Sequence, residues 1–196
     1  MLKDLLPLQK LKLIFKQYKT ENKEIWDIII YGSSARGNQK ARDVDIAIIL
    51  KDKTKLEKKL QLAQKLKTKL KQINKQFDVK TVDIADFLDK TFMARQAILA
   101  EGYSVMNKSY ISGLLGFKPY SLFTYSMGKL NNSQKKMFHY TLKGRRGQEG
   151  LLKKLKAESI GKGVIKIPLE NTQELKDVLQ KHKIAFEIKI ILSYNF

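Results

Sequence analysis

Two aspartates separated by one residue, Asp43 and Asp45, head an apolar run, Asp43-Val44-Asp45-Ile46-Ala47-Ile48-Ile49-Leu50. In an extended chain both carboxylates project from one face together with Ala47, while Val44, Ile46 and Ile48 project from the other. Carboxylates held side by side repel unless a cation sits between them, and hard oxygen donors of this kind suit Mg²⁺ bridging substrate phosphates. Upstream, the apolar run Glu24–Tyr31 leads straight into Gly32-Ser33. Glycine there allows a tight turn and a close approach of ligand to backbone. A short helix opening behind it would offer free N–H groups to phosphate oxygens, with the Ser33 hydroxyl as a further donor. Arg36, Lys40 and Arg42 flank the turn and can touch the same phosphates. The chemistry these residues could perform is in-line displacement at phosphorus. Two ions about 4 Å apart would steady the attacking and leaving oxygens.

An apolar strand, Gly-Ser, a gap of about ten residues and Asp-x-Asp within a second apolar strand resembles the signature of the DNA polymerase beta-like nucleotidyltransferase superfamily. The wording Gly32-Ser33-Ser34-Ala35-Arg36-Gly37 is most similar to its minimal nucleotidyltransferases, and Arg95–Asn107 looks like the end of such a domain. The resemblance spans roughly residues 20–108. It implies that Gly32, Ser33 and Arg36 hold the triphosphate of an NTP and that Asp43 and Asp45 ligate a two-ion Mg²⁺ site. The family usually adds a third carboxylate on a following strand. In Val82-Asp83-Ile84, Asp83 sits between apolar residues and is expected to fill that role, with Asp78 and Asp86 as alternatives.

These residues need elements to hold them. Apolar positions at Leu5, Leu8, Leu11, Leu13, Ile14 and Tyr18, with Pro7 near the start, predict a helix over 5–19. Strands are expected at 24–31, 43–50 and 77–84, and helices at 54–73 and 87–101. Strand and helix in alternation indicate an α/β layer, a small mixed sheet flanked by helices. A Gly- and Pro-containing stretch at 109–119 reads as the connection to a smaller, basic α+β domain. The division is therefore 1–108, catalytic, and 109–196. In the second part, helices are expected at 133–143, 148–158 and 172–182, and strands at 164–168 and 185–192.

Composition narrows the function further. There is no cysteine, which excludes disulfides, thiolate metal sites and a cysteine nucleophile. No signal-peptide pattern and no apolar run of membrane-spanning length is present, so a cytoplasmic protein is expected. The formal net charge of +20 favours polyanionic partners. The stretch Lys129–Lys166 holds eleven basic residues against Glu149 and Glu158. Within it Lys143, Arg145 and Arg146 surround a Gly144-x-x-Gly147 step. That step resembles the backbone-clamping loop of KH modules, although the apolar spacing after it does not follow that family.

Three readings follow. The first is transfer of a nucleoside monophosphate from an NTP to a nucleic-acid hydroxyl, RNA more than DNA. The second keeps the chemistry and modifies a protein hydroxyl, as the resemblance to antitoxin-type minimal nucleotidyltransferases implies. The toxin-type Arg-x₄₋₆-His pattern is not found in this chain, so that partner would be a separate protein. The third is a non-catalytic nucleic-acid-binding protein on the same scaffold.

Overall fold

Isoleucine-rich Ile25–Tyr31 (β1) and Asp43–Leu50 (β2) pair antiparallel, with Tyr31 opposite Asp45 and Ile29 opposite Ala47. In a computed structural model of the chain, which describes residues 6–38 and 40–194, the chain falls into two units, Met1–Phe117 and Lys118–Phe196. Residues 109–117, expected to begin the second part, thus belong to the first.

The first unit is an α/β layer. Helix α1 (Leu8–Glu21) buries Leu11, Ile14, Phe15 and Tyr18, the i, i+3, i+4, i+7 stripe of an amphipathic helix. Leu13, expected on that stripe, is exposed, and Leu5 lies outside the described residues. Helix α2 (Leu56–Leu70) contributes Leu62, Leu66 and Leu70 and crosses over to β3 (Gln76–Asp83), which runs parallel to β2. A 3₁₀ turn (Ile84–Leu88) and helix α3 (Arg95–Glu101) replace the single helix expected over 87–101. Short strands β4 (Tyr103–Ser104) and β5 (Ser109–Tyr110) complete a sheet of order β3-β2-β1-β4-β5, followed by α4 (Ile111–Leu114).

Both faces of this sheet are covered. Val44, Ile46, Ile48, Ile28 and Ile30 pack under α1 and α2, and Ala47, Ile49, Ile29 and Tyr31 pack with Val82, Ile98 and Ile111 on the other side. The strands therefore read as continuous apolar runs. Polar groups interrupt them at the end carrying Gly32, Asp43 and Asp45, and near the other end of β1 at buried Asp27, which accepts from the Asn107 side chain at 3.1 Å.

The second unit contains β6 (Phe117–Ser126) from Lys118 onward, α5 (Asn132–Lys143), β7 (Gly144–Arg145), β8 (Gln148–Glu149), α6 (Leu151–Lys154), β9 (Glu158–Gly161), β10 (Val164–Pro168), α7 (Thr172–Lys181) and β11 (Ala185–Tyr194). Asn131 caps α5 by accepting from Gln134 N–H at 2.9 Å, while the Gln134 side chain accepts from Asn131 N–H at 3.0 Å. The helix expected at 148–158 is instead β8, one turn of helix and the start of β9. The Gly-x-x-Gly step is not a loop between two long helices. It is a two-residue β-hairpin turn at Arg146-Gly147, with φ of 50° and 80°, the left-handed pair that tight hairpins require. A four-stranded sheet of order β11-β6-β10-β9 backs onto α5 and α7. Among the described residues no helix is long and apolar enough to cross a membrane.

Candidate active site

Strand β1 ends at Tyr31 and the chain turns at Gly32, whose φ of 73° lies in the left-handed region that glycine tolerates best. A Cβ built on Gly32 would stand 2.5 Å from Asp45 Oδ2. Glycine is required here twice over, by its backbone conformation and because the Asp45 carboxylate occupies the side-chain space. Residues 32–37 form successive turns, not the short helix expected. Asn38 N–H returns to Ser33 O at 3.1 Å and Gly37 N–H to Ser34 O at 3.1 Å. Ser34, fully buried, donates its hydroxyl to Asp43 O at 3.4 Å. The turn is thereby tied to the strand that carries the aspartates.

Asp43 and Asp45 share the face of β2 that carries Ala47 and Ile49, as the alternation predicted. Burial pushes the Asp45 carboxyl above the ordinary carboxylate range, the charges of Asp43 and Asp78 push it further, and Lys80 and Arg36 oppose them. The Tyr31 hydroxyl is raised to about 12 by burial, with Asp45 and Asp78 adding to it. The local field is negative, the condition that a bound cation relieves. Among the described residues no three acidic or histidine side chains converge into a ready cation cage. Mg²⁺ commonly takes one or two carboxylates and completes its shell with phosphates and water, and Asp43 with Asp45 fit that donor set.

The third carboxylate differs from expectation. Register places Asp78, not Asp83, opposite Asp45, while Asp83 pairs with Leu50 at the far end of the sheet. Five residues of strand separate the two ends, about 17 Å. Asp83 also has the wrong parity, since it faces α2, where Lys59 Nζ lies 2.7 Å from its Oδ2 and Thr54 N–H donates to the same oxygen at 3.3 Å. Asp86, the other alternative, accepts from Asp83 N–H at 2.8 Å and pairs with Lys59 at 3.2 Å. Both belong to the fold at that end. Asp78→Asn is expected to cut turnover at least tenfold with little change in stability. Asp83→Asn should leave turnover within twofold and lower unfolding free energy by about 3–5 kcal/mol, the scale of a broken buried ion pair. Urea melts and initial rates on both variants check this.

A residue that sequence reasoning missed completes the site. Glu101, at the last turn of α3, is buried, forms an ion pair with Arg36 and accepts the Gly32 N–H. Burial raises its pKa, the Arg36 charge and hydrogen bond lower it, Asp45 raises it, and the Gly32 N–H lowers it. Arg36, a member of the turn, is thus held by Glu101 and stays partly solvent-accessible. Loss of the Glu101 charge frees the guanidinium. Glu101→Gln should weaken NTP binding about tenfold, a charge-assisted contact of about 1.4 kcal/mol. Adding Arg36→Gln to it should cost little more, because the two act as one unit. Calorimetric titration of NTP into the single and double variants reads this directly.

In the second unit Lys143, Arg145 and Arg146 come together at the end of α5 and on the hairpin, all exposed, with the Arg145 guanidinium 4.7 Å from the Tyr140 ring centroid.

The family model described as polymerase beta nucleotidyltransferase matches residues 9–110, so the chain belongs to that family and is a nucleotidyltransferase. The match takes in the turn, the aspartate pair and Glu101. Among solved structures the chain is similar to a toxin–antitoxin complex with AMP-PNP, at 24% identity over 48% of this chain and 71% of that one, with a TM-score of 0.37. It is similar to the MntA–HepT toxin–antitoxin, at 21% identity over 50% of this chain and 70% of that one, TM-score 0.35. A third is the tri-AMPylated Shewanella oneidensis HEPN toxin with MNT antitoxin, at 21% identity over 54% and 71%, TM-score 0.34. Comparison with curated proteins finds no match.

Proposed function

We propose that the chain transfers a nucleoside monophosphate from an NTP to a hydroxyl of a partner protein, with Mg²⁺ held by Asp43 and Asp45. The observation that carries the chemistry is the direct abutment of turn and carboxylates, in which Asp45 fills the side-chain space of Gly32. The turn that would hold a triphosphate and the carboxylate that would hold the cation are thus adjacent. Bound Mg²⁺ supplies charge neutralisation on the phosphates. Gly32 lets the turn lie directly against the Asp45 carboxylate, and Arg36, positioned by Glu101, donates to the phosphate oxygens. The acceptor oxygen bonds to the α-phosphorus, the bond from that phosphorus to the bridging oxygen breaks, and pyrophosphate leaves. Asp78 takes the hydroxyl proton.

The protein acceptor follows from the wording Gly32–Gly37, which is that of minimal nucleotidyltransferases whose antitoxin members modify a separate toxin. A nucleic-acid hydroxyl is a second reading, favoured by exposed Lys143, Arg145 and Arg146 and by the charge of +20. Incubation with α-labelled NTPs, Mg²⁺ and either host lysate protein or total RNA separates them. The expected product is one labelled protein band. Label in RNA alone transfers the assignment to the second reading, and absence of label from both overturns the chemistry.

A further inference from the structure

The second unit runs strand, helix, strand, strand, helix, strand: β6, α5, β9, β10, α7 and β11, with the β7–β8 hairpin and α6 inserted after α5. Its first and third strands, β6 and β10, lie at the centre of the sheet and pair antiparallel. This is a ferredoxin-like arrangement, with both helices on one side. Phe123, Ile165 and Ile167 from the sheet and Phe138, Leu142, Leu175 and Leu179 from the helices form the core between them. Alternation along the strands then fixes what the other face carries. On β6 these are Lys118, Tyr120, Leu122 and Thr124, and on β10 Val164 and Lys166, with Leu122 opposite Lys166.

Tyr120 is the aromatic of this face on a central strand. The ammonium groups of Lys118 and Lys166 stand 5.6 and 5.3 Å from its ring centroid. Lys118 is exposed, and Lys189 of β11, also exposed, alternates to the same face, away from Phe186 and Ile188. Two acidic residues accompany them. Glu158 pairs with Lys166 at 2.7 Å, and Glu187 of β11 is exposed.

We propose that this sheet face binds single-stranded nucleic acid, one base stacking on Tyr120 and the flanking phosphates pairing with Lys118 and Lys166. A four-stranded sheet with an aromatic on a central strand is the platform on which RRM modules hold unpaired bases. Stacking needs a flat π-surface and tolerates any base, while lysines on either side neutralise the phosphates that a stacked nucleotide must bring. Exposed Lys118 can swing from the ring to a phosphate as the base takes its place, and Lys166 does so by exchanging its Glu158 partner for a phosphate. The face is poorly suited to a folded protein. Leu122 and Val164, both half-buried, are its apolar members on the central strands, whereas a stable protein interface is built around an apolar centre. A duplex hides the base faces that Tyr120 would stack on. The proposal goes beyond the acceptor reading above and holds whichever acceptor is labelled.

The test uses the full chain and a fluorescein-labelled 12-nucleotide single-stranded RNA, with anisotropy recorded from about 50 to 200 mM salt. Binding should weaken with salt. Tyr120→Ala should raise Kd at least about fivefold, the lower end of a base–aromatic stack, and Tyr120→Trp should retain affinity. Lys118→Glu, at an exposed position that threatens no packing, should raise Kd and flatten the log–log salt slope by about 0.7. NTP affinity at the Asp43 and Asp45 site, measured separately by calorimetry, should be unchanged in all three. An unchanged Kd in both Tyr120→Ala and Lys118→Glu overturns the proposal. Equal affinity for a duplex of the same sequence also overturns it. Loss of binding only on replacing Lys143, Arg145 and Arg146 by alanine assigns binding to the hairpin instead. Absence of any NMP transfer from the wild-type chain, with RNA binding intact, would remove the catalytic reading and leave this one standing.

Discussion

Asp45→Asn is expected to abolish NMP transfer and, in metal-free protein, to raise the melting temperature. The two outcomes share one cause. Asp45 is half-buried against two other carboxylates, so its ionised form is held at a cost that a bound cation would offset. Its folded pKa lies above the ordinary value. A carboxyl raised in this way binds its proton more tightly folded than unfolded, so the protein loses stability as pH rises through the ordinary carboxylate range towards the raised value. The asparagine amide removes that loss at neutral pH. Solvent screening at a half-exposed group keeps the gain below about 1 kcal/mol, or up to about 2–4 °C in a chain of this size. Turnover should fall at least about a hundredfold, since a bound ion supplies several kcal/mol of transition-state charge stabilisation and loses its hold with either ligand. Asp43→Asn should lose transfer to the same degree. Initial rates and thermal melts with and without Mg²⁺ decide the matter, and activity within tenfold of wild type in both variants would sink the metal assignment.

Gly32→Val carries the second large effect. Its Cβ has no space, because Asp45 Oδ2 lies 2.5 Å from where it would be, and a β-branched residue resists a φ of 73°. Either the turn moves or the carboxylate does, and both disrupt the contact between phosphate cradle and metal ligand. Backbone strain alone is of order 1–3 kcal/mol. NTP affinity should fall at least about thirtyfold by calorimetry. Gly32→Ala separates the two causes. In an Asp45→Ala background its cost should shrink to the conformational part, which is a coupling that a plain turn glycine would lack. Undiminished NTP affinity in Gly32→Val would count against a phosphate-cradling turn.

The parts of this site that depend on neighbours in sequence were legible. Gly32 follows a β-branched run, and Asp43 and Asp45 share a face because strand periodicity is two. Each of these is a local fact. What failed was what depends on pairing between distant segments. Asp78 in Phe77-Asp78-Val79 and Asp83 in Val82-Asp83-Ile84 have the same apolar flanks, and only the parallel register of β2 with β3 separates them. Glu101 gave no signal, because a lone glutamate near the end of a helix is ordinarily a solvated residue; its burial against Gly32 and Arg36 arises from packing. Strand β6 was obscured by Gly116 and Pro119, which punctuate a stretch whose Tyr120, Phe123 and Tyr125 do carry strand propensity. In the hairpin, Arg146 adopts a left-handed φ that residue type alone does not announce.

The contact of Glu101 with Gly32 and Arg36 has a temporal side. A ribosome delivers the pieces of this site in sequence: the phosphate turn, then the metal pair, then Asp78, and last Glu101. At about 5–20 residues per second, the interval from Gly32 to Glu101 is on the order of several seconds. Throughout it the nascent chain carries the recognisable motif, but Asp78 awaits the α2 crossover and Arg36 has no anchor. A chain interrupted before Glu101 keeps the motif and lacks the contacts that Glu101 makes with Arg36 and Gly32.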